Sequence, residues 1–258
     1  MPTIKEVLNY LTELYPLSNA QAFDFGKVGL QFGNPDQQIS KIVLCLDCTE
    51  EVIDKSIASN ANLIISHHPF MFSPLVNLDY RTNFGRKLQK VLKHDLNIMA
   101  FHTNFDVAED GMNDVLAKIL GLSDIKYLTD EINKDSLIRV GRISKMKLKD
   151  FANVVKTKLS QDMVRVAGDL DKMIETVSIV GGSGSSEFYN ALKSSDVLVT
   201  GQIPHHLGIE AVENNFSLIE VSHGIEYFGI DKIKTKLEEK FELQIIVSSS
   251  NFDPFKTI

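Results

Sequence analysis

The sequence lacks the features that mark membrane, secreted and nucleic-acid-binding proteins. No apolar run approaches the roughly 18 residues that a membrane helix needs. The first residues, MPTIKEVLNYL, place Lys5 and Glu6 in an amphipathic pattern where a signal peptide would be apolar. Acidic residues outnumber basic ones by 34 to 27, and the net charge of -7 argues against a general nucleic-acid or membrane-surface binder, which carries a basic face. We therefore expect a cytoplasmic protein.

Cysteine is also scarce, and both cysteines fall in the single segment KIVLCLDCTE. A C-x-x-C pair binds zinc or carries out redox chemistry in some proteins, but a zinc finger needs a second pair, which is missing here. On an extended strand, residues three apart point to opposite faces. The pattern favours a structural role for Cys45 and Cys48 as small strand residues.

Short apolar runs alternate with helical patterns over almost all of the 258 residues. Thr3 and Glu6 form a capping box at the first helix, and Gly121 ends the helix GMNDVLAKIL. This alternation predicts an α/β fold with mostly parallel sheets, built from two rounds of strands and helices. The polar stretch LTDEINKDS, residues 128–136, is the predicted break between them.

Histidines cluster where predicted strands end. Open α/β sheets bind ligands at the carboxyl ends of their strands, where several loops converge. His94 lies on a predicted helix, whereas the other six directly follow strands: His67, His68, His102, His205, His206 and His223. The clustering predicts a functional site.

The first cluster comprises IISHHPF and MAFHTNFD. Two adjacent histidines point in different directions, which suits two neighbouring metal ions better than one. A polar turn closed by Pro69 is the alternative for His67 and His68. Asp106 follows His102 at a spacing of four, but it also suits the start of the next helix.

The second cluster is IEVSHGIEYFG, where His223 and Glu226 are three residues apart. In helical geometry this spacing places both side chains on one face, and a carboxylate has two oxygens with which to bridge two cations. A glutamate favoured by the helix dipole is the alternative. Together the segments supply three to four imidazoles and two carboxylates, which is the inventory of a two-metal site for zinc, iron, manganese or nickel.

Two further motifs carry weaker signals. The segment VSIVGGSGSSEF, with Gly181 and Gly182, suits a phosphate-binding helix start or a plain tight turn, and the turn is favoured. In VTGQIPHH, the residues Gln202, His205 and His206 are candidates for substrate contact or for an exposed turn.

These segments, in this order, resemble the GTP cyclohydrolase 1 type 2-like family, the NIF-three-like dinuclear-metal-centre hexameric proteins. The matching stretches span nearly the whole chain: VGLQFG, ANLIISHHPFMF, MAFHTNFDVAEDGMNDVLAKILGL, VGGSGSS, VTGQIPHH and VSHGIEYFG. The HHP, HTNxD and H-x-x-E elements together are specific. The length matches the short form, without the middle domain inserted in some members.

The resemblance implies two related α/β domains, the first completed by the C-terminal segment. The first would comprise residues 1–128 with about 225–258, the second residues 129–224, and the metal site would lie at their interface. It also implies a toroidal homohexamer and two divalent ions per chain. The implied ligands are His67, His68, Asp106, His223 and Glu226, with the glutamate touching both ions. His102 matches the motif as a neighbour.

Three positions depart from the family pattern. The family usually has tryptophan, aspartate and asparagine before VGL, where this chain has Phe25, Gly26 and Lys27. Many members have an acid at Gln202, and many space the last histidine and glutamate by four residues. None of these departures removes a metal ligand.

The resemblance implies a metal-dependent hydrolase that opens the guanine ring of a nucleotide such as GTP. Histidine titrates near neutral pH, so His102 or His206 would carry the proton or contact the substrate. The alternative is a non-catalytic hexamer that carries metal or binds other proteins. A metal pair serves many reactions, and the fold alone does not choose between these functions.

Overall fold

The computed structural model describes residues 1–128, 136–248 and 253–255. They form two compact units: residues 1–108 and 230–248 make the first, and residues 109–128, 136–229 and 253–255 make the second. The predicted break at 128–136 lies almost wholly outside the described residues. None of the described helices is long and apolar enough to cross a membrane.

Strands and helices alternate along the chain, which confirms the predicted α/β class. The strands are β1 Gly29–Phe32, β2 Ile42–Cys45, β3 Leu63–Ser66, β4 Asn97–Ala100, β5 Ser123–Tyr127, β6 Arg139–Lys147, β7 Arg165–Ala167, β8 Met173–Val180, β9 Val197–Thr200, β10 Ser217–Glu220 and β11 Ile245–Val247. The α-helices are α1 Ile4–Leu14, α2 Glu50–Ala58, α3 Asn83–Lys93, α4 Thr103–Val107, α5 Met112–Leu120, α6 Leu148–Lys158, α7 Phe188–Ser194, α8 His205–Glu213 and α9 Tyr227–Lys240. Short 3-10 helices cover Leu17–Asn19, Ala22–Asp24, Gly184–Glu187 and His223–Glu226.

Both predicted helix ends are confirmed. At the start of α1, the Glu6 amide donates to Thr3 Oγ1 and the Glu6 carboxylate accepts from the Thr3 amide at 2.7 Å. At the end of α5, Gly121 adopts a left-handed conformation with φ of 81°. Glycine adopts this conformation without the steric cost that a Cβ brings.

The sheet of the first unit has the strand order β1-β4-β3-β2-β11. Strands β11, β2, β3 and β4 are parallel, and β1 pairs antiparallel with β4. The C-terminal segment thus completes this sheet, as predicted. The register pairs Cys45 with Ser66 and Ser66 with Ala100, so three consecutive parallel strands end at one level. The loops after β2, β3 and β4 therefore start at the same sheet edge.

The sheet of the second unit has the order β5-β6-β8-β9-β10-β7 and is mixed. Strands β8, β9 and β10 are parallel, whereas β5, β6 and β7 pair antiparallel with their neighbours. The register pairs Val180 with Thr200 and Thr200 with Glu220. The loops after β8, β9 and β10 therefore also start at one edge.

A buried polar network lies in the second unit, around Arg139. The Arg139 side chain is fully buried, and its guanidinium contacts the Asp114 carboxylate and lies 4.0 Å from the centroid of the Tyr127 ring. The Tyr127 hydroxyl donates to Asp114 at 2.6 Å. Burial and this hydrogen bond raise the pKa of Tyr127 to about 12, so the hydroxyl stays protonated. Asp114 is therefore the counter-ion that keeps a buried cation paired.

Candidate metal centre

Three histidines meet at the carboxyl edge of the first sheet. His67 and His68 follow β3 directly, and His102 follows β4. The ring centroids are 5.0 Å apart for His67 and His68, 5.1 Å for His67 and His102, and 5.4 Å for His68 and His102. One ring nitrogen from each lies within 4.8 Å of the others, which is close enough to hold a metal ion.

Hydrogen bonds fix the orientation of the first two rings. His67 Nδ1 lies 2.9 Å from the Phe101 carbonyl oxygen, and His68 Nδ1 lies 2.8 Å from Asp47 Oδ1. A carbonyl oxygen only accepts, so Nδ1 of His67 carries the proton and Nε2 carries the lone pair. Histidines that bind metals typically have their other ring nitrogen held in this way.

His102 is held by a buried carboxylate. Its Nδ1 lies 2.6 Å from Asp24 Oδ2, and the Thr103 hydroxyl donates to the same oxygen at 2.7 Å. Burial alone would raise the pKa of Asp24, but the hydrogen bonds from His102 and Thr103 outweigh it and hold that pKa below its ordinary value. Asp24 therefore stays ionised and orients the ring.

Asp106 faces His67 in the interior of the first unit. Its Oδ1 lies 3.5 Å from His67 Nε2, and both residues are buried. Asp106 lies inside α4, while the next helix, α5, starts after Gly111. The alternative that Asp106 caps that helix is therefore wrong.

In the second unit, His223 and Glu226 lie on one 3-10 helix that follows β10. The Ser222 side chain caps this helix by accepting from the Gly224 amide at 2.9 Å. His223 Nε2 lies 3.1 Å from Glu226 Oε2, and the glutamate is almost fully buried. The spacing of three residues thus places both side chains together.

Glycines at two strand ends leave room for this pair. A Cβ on Gly182 would lie 2.4 Å from Glu226 Oε1, and a Cβ on Gly201 would lie 2.8 Å from the His223 Cα. Gly182 also has a φ of +56°, which favours glycine. The Asn113 side chain accepts from the Gly181 amide at 2.7 Å and fixes the start of this loop.

The loop amides favour the turn interpretation of VGGSGSS over phosphate binding. The Gly181 amide donates to Asn113, and the Gly184 amide donates to Thr200 Oγ1 at 2.9 Å. Two of the donors that a phosphate would need are already used within the protein. The 3-10 helix that follows is only four residues long.

The remaining candidate residues are exposed: Gln202 lies in the loop after β9, and His205 and His206 begin α8. The His206 side chain makes no hydrogen bond or ion pair with any residue that the structure describes. His205 lines a cavity of about 490 Å³ together with Arg165 and Glu220. The structure thus places these residues on the surface of the second unit.

Cys45 and Cys48 are free and buried. Cys45 ends strand β2 as predicted, whereas Cys48 lies in the loop between β2 and α2, so its assignment to a strand is wrong. Burial raises the pKa of the Cys48 thiol to about 12 and also raises the pKa of Cys45. Neither thiol is therefore ionised near neutral pH, and a reactive redox pair is not supported.

Sequence reasoning missed the residues that hold the histidines and shape the loop. Asp47 lies two residues after the end of β2, so the rule that singled out the histidines near strand ends would also have singled it out. Asp24 lies in a 3-10 turn and carried no such signal. The contact between Gly182 and Glu226 joins residues distant in sequence, and spacing alone does not show it.

Comparisons with known proteins agree with the resemblance. A family model described as Duf34/NIF3 (NGG1p interacting factor 3) matches residues 2–254. A Clostridium perfringens protein named GTP cyclohydrolase 1 type 2 homolog is 32% identical, with 99% of each chain covered. A solved Bacillus cereus protein related to NIF3 has a TM-score of 0.93 at 25% identity, covering 100% of this chain and 99% of that one. A Staphylococcus aureus hypothetical protein has a TM-score of 0.90 at 30% identity, with 99% of each chain covered. The chain therefore belongs to the Duf34/NIF3 family.

Proposed function

We propose that this chain is a metal-dependent hydrolase that binds two divalent ions. The proposed ligands are His67, His68, Asp106, His223 and Glu226. The observation that carries the proposal is the contact between His67 Nε2 and Asp106 Oδ1, 3.5 Å apart in a buried environment. The Phe101 carbonyl holds the His67 proton on Nδ1, so a lone pair faces a carboxylate. A divalent cation bound by both atoms makes this arrangement favourable.

We propose further that Glu226 is shared by the two ions. His223 and Glu226 alone supply two ligands, whereas protein sites for zinc use three or four. Glu226 has two oxygens and is nearly buried, which suits a bridging role. Nitrogen and carboxylate donors together suit zinc, iron, manganese or nickel.

Such a pair of ions, when bound, acts as a Lewis acid and activates water for attack on a polarised substrate atom. In this scheme His102 accepts a proton at Nε2, while Asp24 holds Nδ1 and stabilises the charged ring. A base oriented by a buried carboxylate is a recurrent catalytic arrangement. His206, exposed at the start of α8, is the second candidate and would contact the substrate.

The proposed substrate is GTP or a related nucleotide, and the proposed reaction is hydrolytic opening of the guanine ring. The support is the name of the curated relatives, GTP cyclohydrolase 1 type 2 homolog. The second candidate function is a non-catalytic protein that carries metal or binds a partner. The family description, NGG1p interacting factor 3, supports this alternative.

Nucleotide turnover tests the choice between the two functions. The metal-loaded protein should consume GTP, and a chelator should abolish the reaction. Asp106→Asn should lose both metal and activity, whereas His206→Ala should lose rate while it retains metal. If GTP, other nucleotides and simple phosphoesters all remain intact with fully loaded protein, hydrolysis is refuted and the metal-carrying function is favoured.

We also propose that the chain forms a closed homohexamer and acts in the cytoplasm. The support is the family membership, together with the general preference of soluble homo-oligomers for closed symmetry. Multi-angle light scattering at micromolar concentration should give six times the 28.9 kDa chain mass. A monomer at all such concentrations would refute this assembly.

A further inference from the structure

Two exposed aromatic rings contact the histidine that we propose as the proton acceptor. The centroid of His102 lies 6.4 Å from that of Phe23 and 6.4 Å from that of Phe72, in edge-to-face arrangements. Phe23 is 56% exposed and Phe72 is 49% exposed. Both rings therefore present apolar surface to a molecule that approaches His102.

A lysine ammonium lies over the same two rings. Lys27 Nζ is 4.1 Å from the centroid of Phe72 and 5.8 Å from that of Phe23. Among the residues that the structure describes, no carboxylate lies within ion-pair distance of this ammonium. In a chain of net charge -7, the Lys27 ammonium thus contacts aromatic faces and pairs with none of the carboxylates in the described part of the chain.

The polypeptide turn that carries these groups is tied to the histidine. The Lys27 amide donates to the Asp24 carbonyl oxygen at 2.9 Å, and the Asp24 carboxylate holds His102 Nδ1. Phe23 is the neighbour of Asp24 in this turn. The backbone turn that carries Lys27 and Phe23 is therefore tied to His102 through Asp24.

We infer that Phe23, Phe72 and Lys27 form a recognition site for a planar aromatic ring that carries a negative charge. Exposed aromatic side chains stack on planar rings, and a lysine without a carboxylate partner binds an anion. Because the site adjoins His102, it would hold the substrate of the proposed hydrolase, and the inference rests on that function for its placement. A purine nucleotide meets both requirements, since it combines a base with a phosphate.

Calorimetry with three probes tests the site on the full-length, metal-loaded protein: GMP, guanosine and ribose 5-phosphate. Phe72→Leu should weaken the binding of GMP and guanosine roughly 5- to 100-fold, which is the range for loss of one stacking ring. The affinity for ribose 5-phosphate should stay unchanged. Lys27→Gln should weaken the binding of GMP and ribose 5-phosphate about tenfold, because both carry a charged phosphate. The affinity for guanosine, which has no phosphate, should stay unchanged. Val76→Ala is the matched control, since Val76 is 96% exposed and should not alter any of the three.

Binding measured after chelation, together with a turnover assay, separates this inference from the proposed function. Neither the rings nor the lysine is a proposed metal ligand, so GMP binding and its sensitivity to Phe72→Leu should persist after chelation. If Phe72→Leu weakens GMP binding but the protein shows no turnover, the recognition site is supported and the proposed hydrolysis is refuted. GMP binding that none of the substitutions changes would overturn the inference. A change of oligomeric mass in Phe72→Leu, with GMP affinity unaltered, would also overturn it, because a second copy of the chain would then cover the rings.

Discussion

The substitution Gly182→Ala tests whether the glycine loop after β8 sets the position of the Glu226 carboxylate. The new Cβ would lie 2.4 Å from Glu226 Oε1 and 3.1 Å from His223 Nε2, whereas nine in ten such contacts exceed 3.4 Å. The carboxylate must therefore move by about 1 Å, which is far more than the roughly 0.2 Å tolerance of a metal-ligand bond. The left-handed backbone of residue 182 adds about 1–2 kcal/mol of strain for alanine.

We expect Gly182→Ala to weaken metal binding by at least the roughly 10- to 100-fold that loss of an orienting contact costs. Competition between the metal-free protein and a chromophoric zinc chelator measures the affinity, and urea unfolding measures the stability of the same sample. Two substitutions separate the causes. Gly26→Ala imposes backbone strain at φ of +79° with nothing within 4 Å of the new Cβ, and Gly208→Ala adds a methyl group with neither strain nor a contact.

Both controls should retain the zinc affinity of the original protein, and Gly208→Ala should be slightly more stable because alanine favours the helix. If Gly182→Ala binds zinc as tightly as Gly208→Ala, the loop does not position Glu226 for metal binding and the reasoning is refuted. If Gly26→Ala loses affinity to the same extent, strain rather than the contact would explain the effect.

Two further predictions concern stability and reactivity. Asp114→Asn should lower the free energy of unfolding by about 3–5 kcal/mol in a urea titration, because it leaves the buried Arg139 without its counter-ion. Asp110→Asn, which removes an exposed ion pair to Lys118, should have a much smaller effect, and equal losses would contradict the assignment. Iodoacetamide should alkylate Cys48 slowly in the folded protein up to pH 9 and quickly in urea, since burial holds the pKa of its thiol at about 12. Fast labelling of the folded state would show that the thiol is accessible and ionised.

The parts of the fold with strong local patterns were predicted from the sequence. Strands β2, β3 and β4 are continuous apolar runs, because parallel strands of this kind are buried on both faces. Strands β1 and β5 carry no such apolar run. They lie at sheet edges, and β5 is mostly exposed with the sequence SDIKY, so no apolar run marks it. Their pairing depends on neighbours that are distant in the sequence.

The same distinction applies to the candidate site. Residues that directly follow strands, such as His67 and His102, could be singled out because parallel strands end at one edge. The second sheet is more antiparallel than the alternation of strands and helices indicates, because β5, β6 and β7 all pair antiparallel with their neighbours. The partner of His102, Asp24, lies in a turn far from β4 in sequence and is recognisable only when the chain is folded. Candidate ligands can thus be predicted from residue type and from position relative to strands, whereas the residues that orient those ligands cannot.

Metal content tests the central proposal, that the chain binds two divalent ions that share Glu226. Protein purified without chelator, analysed by plasma mass spectrometry and by amino-acid analysis, should contain close to two divalent ions per chain. Glu226→Gln should lower the content of both ions, because it removes the anion that they share, whereas Glu220→Gln, at a nearby glutamate paired with Arg165, should leave the content unchanged. Two ions per chain in Glu226→Gln, or fewer than one in the original protein, would contradict the account.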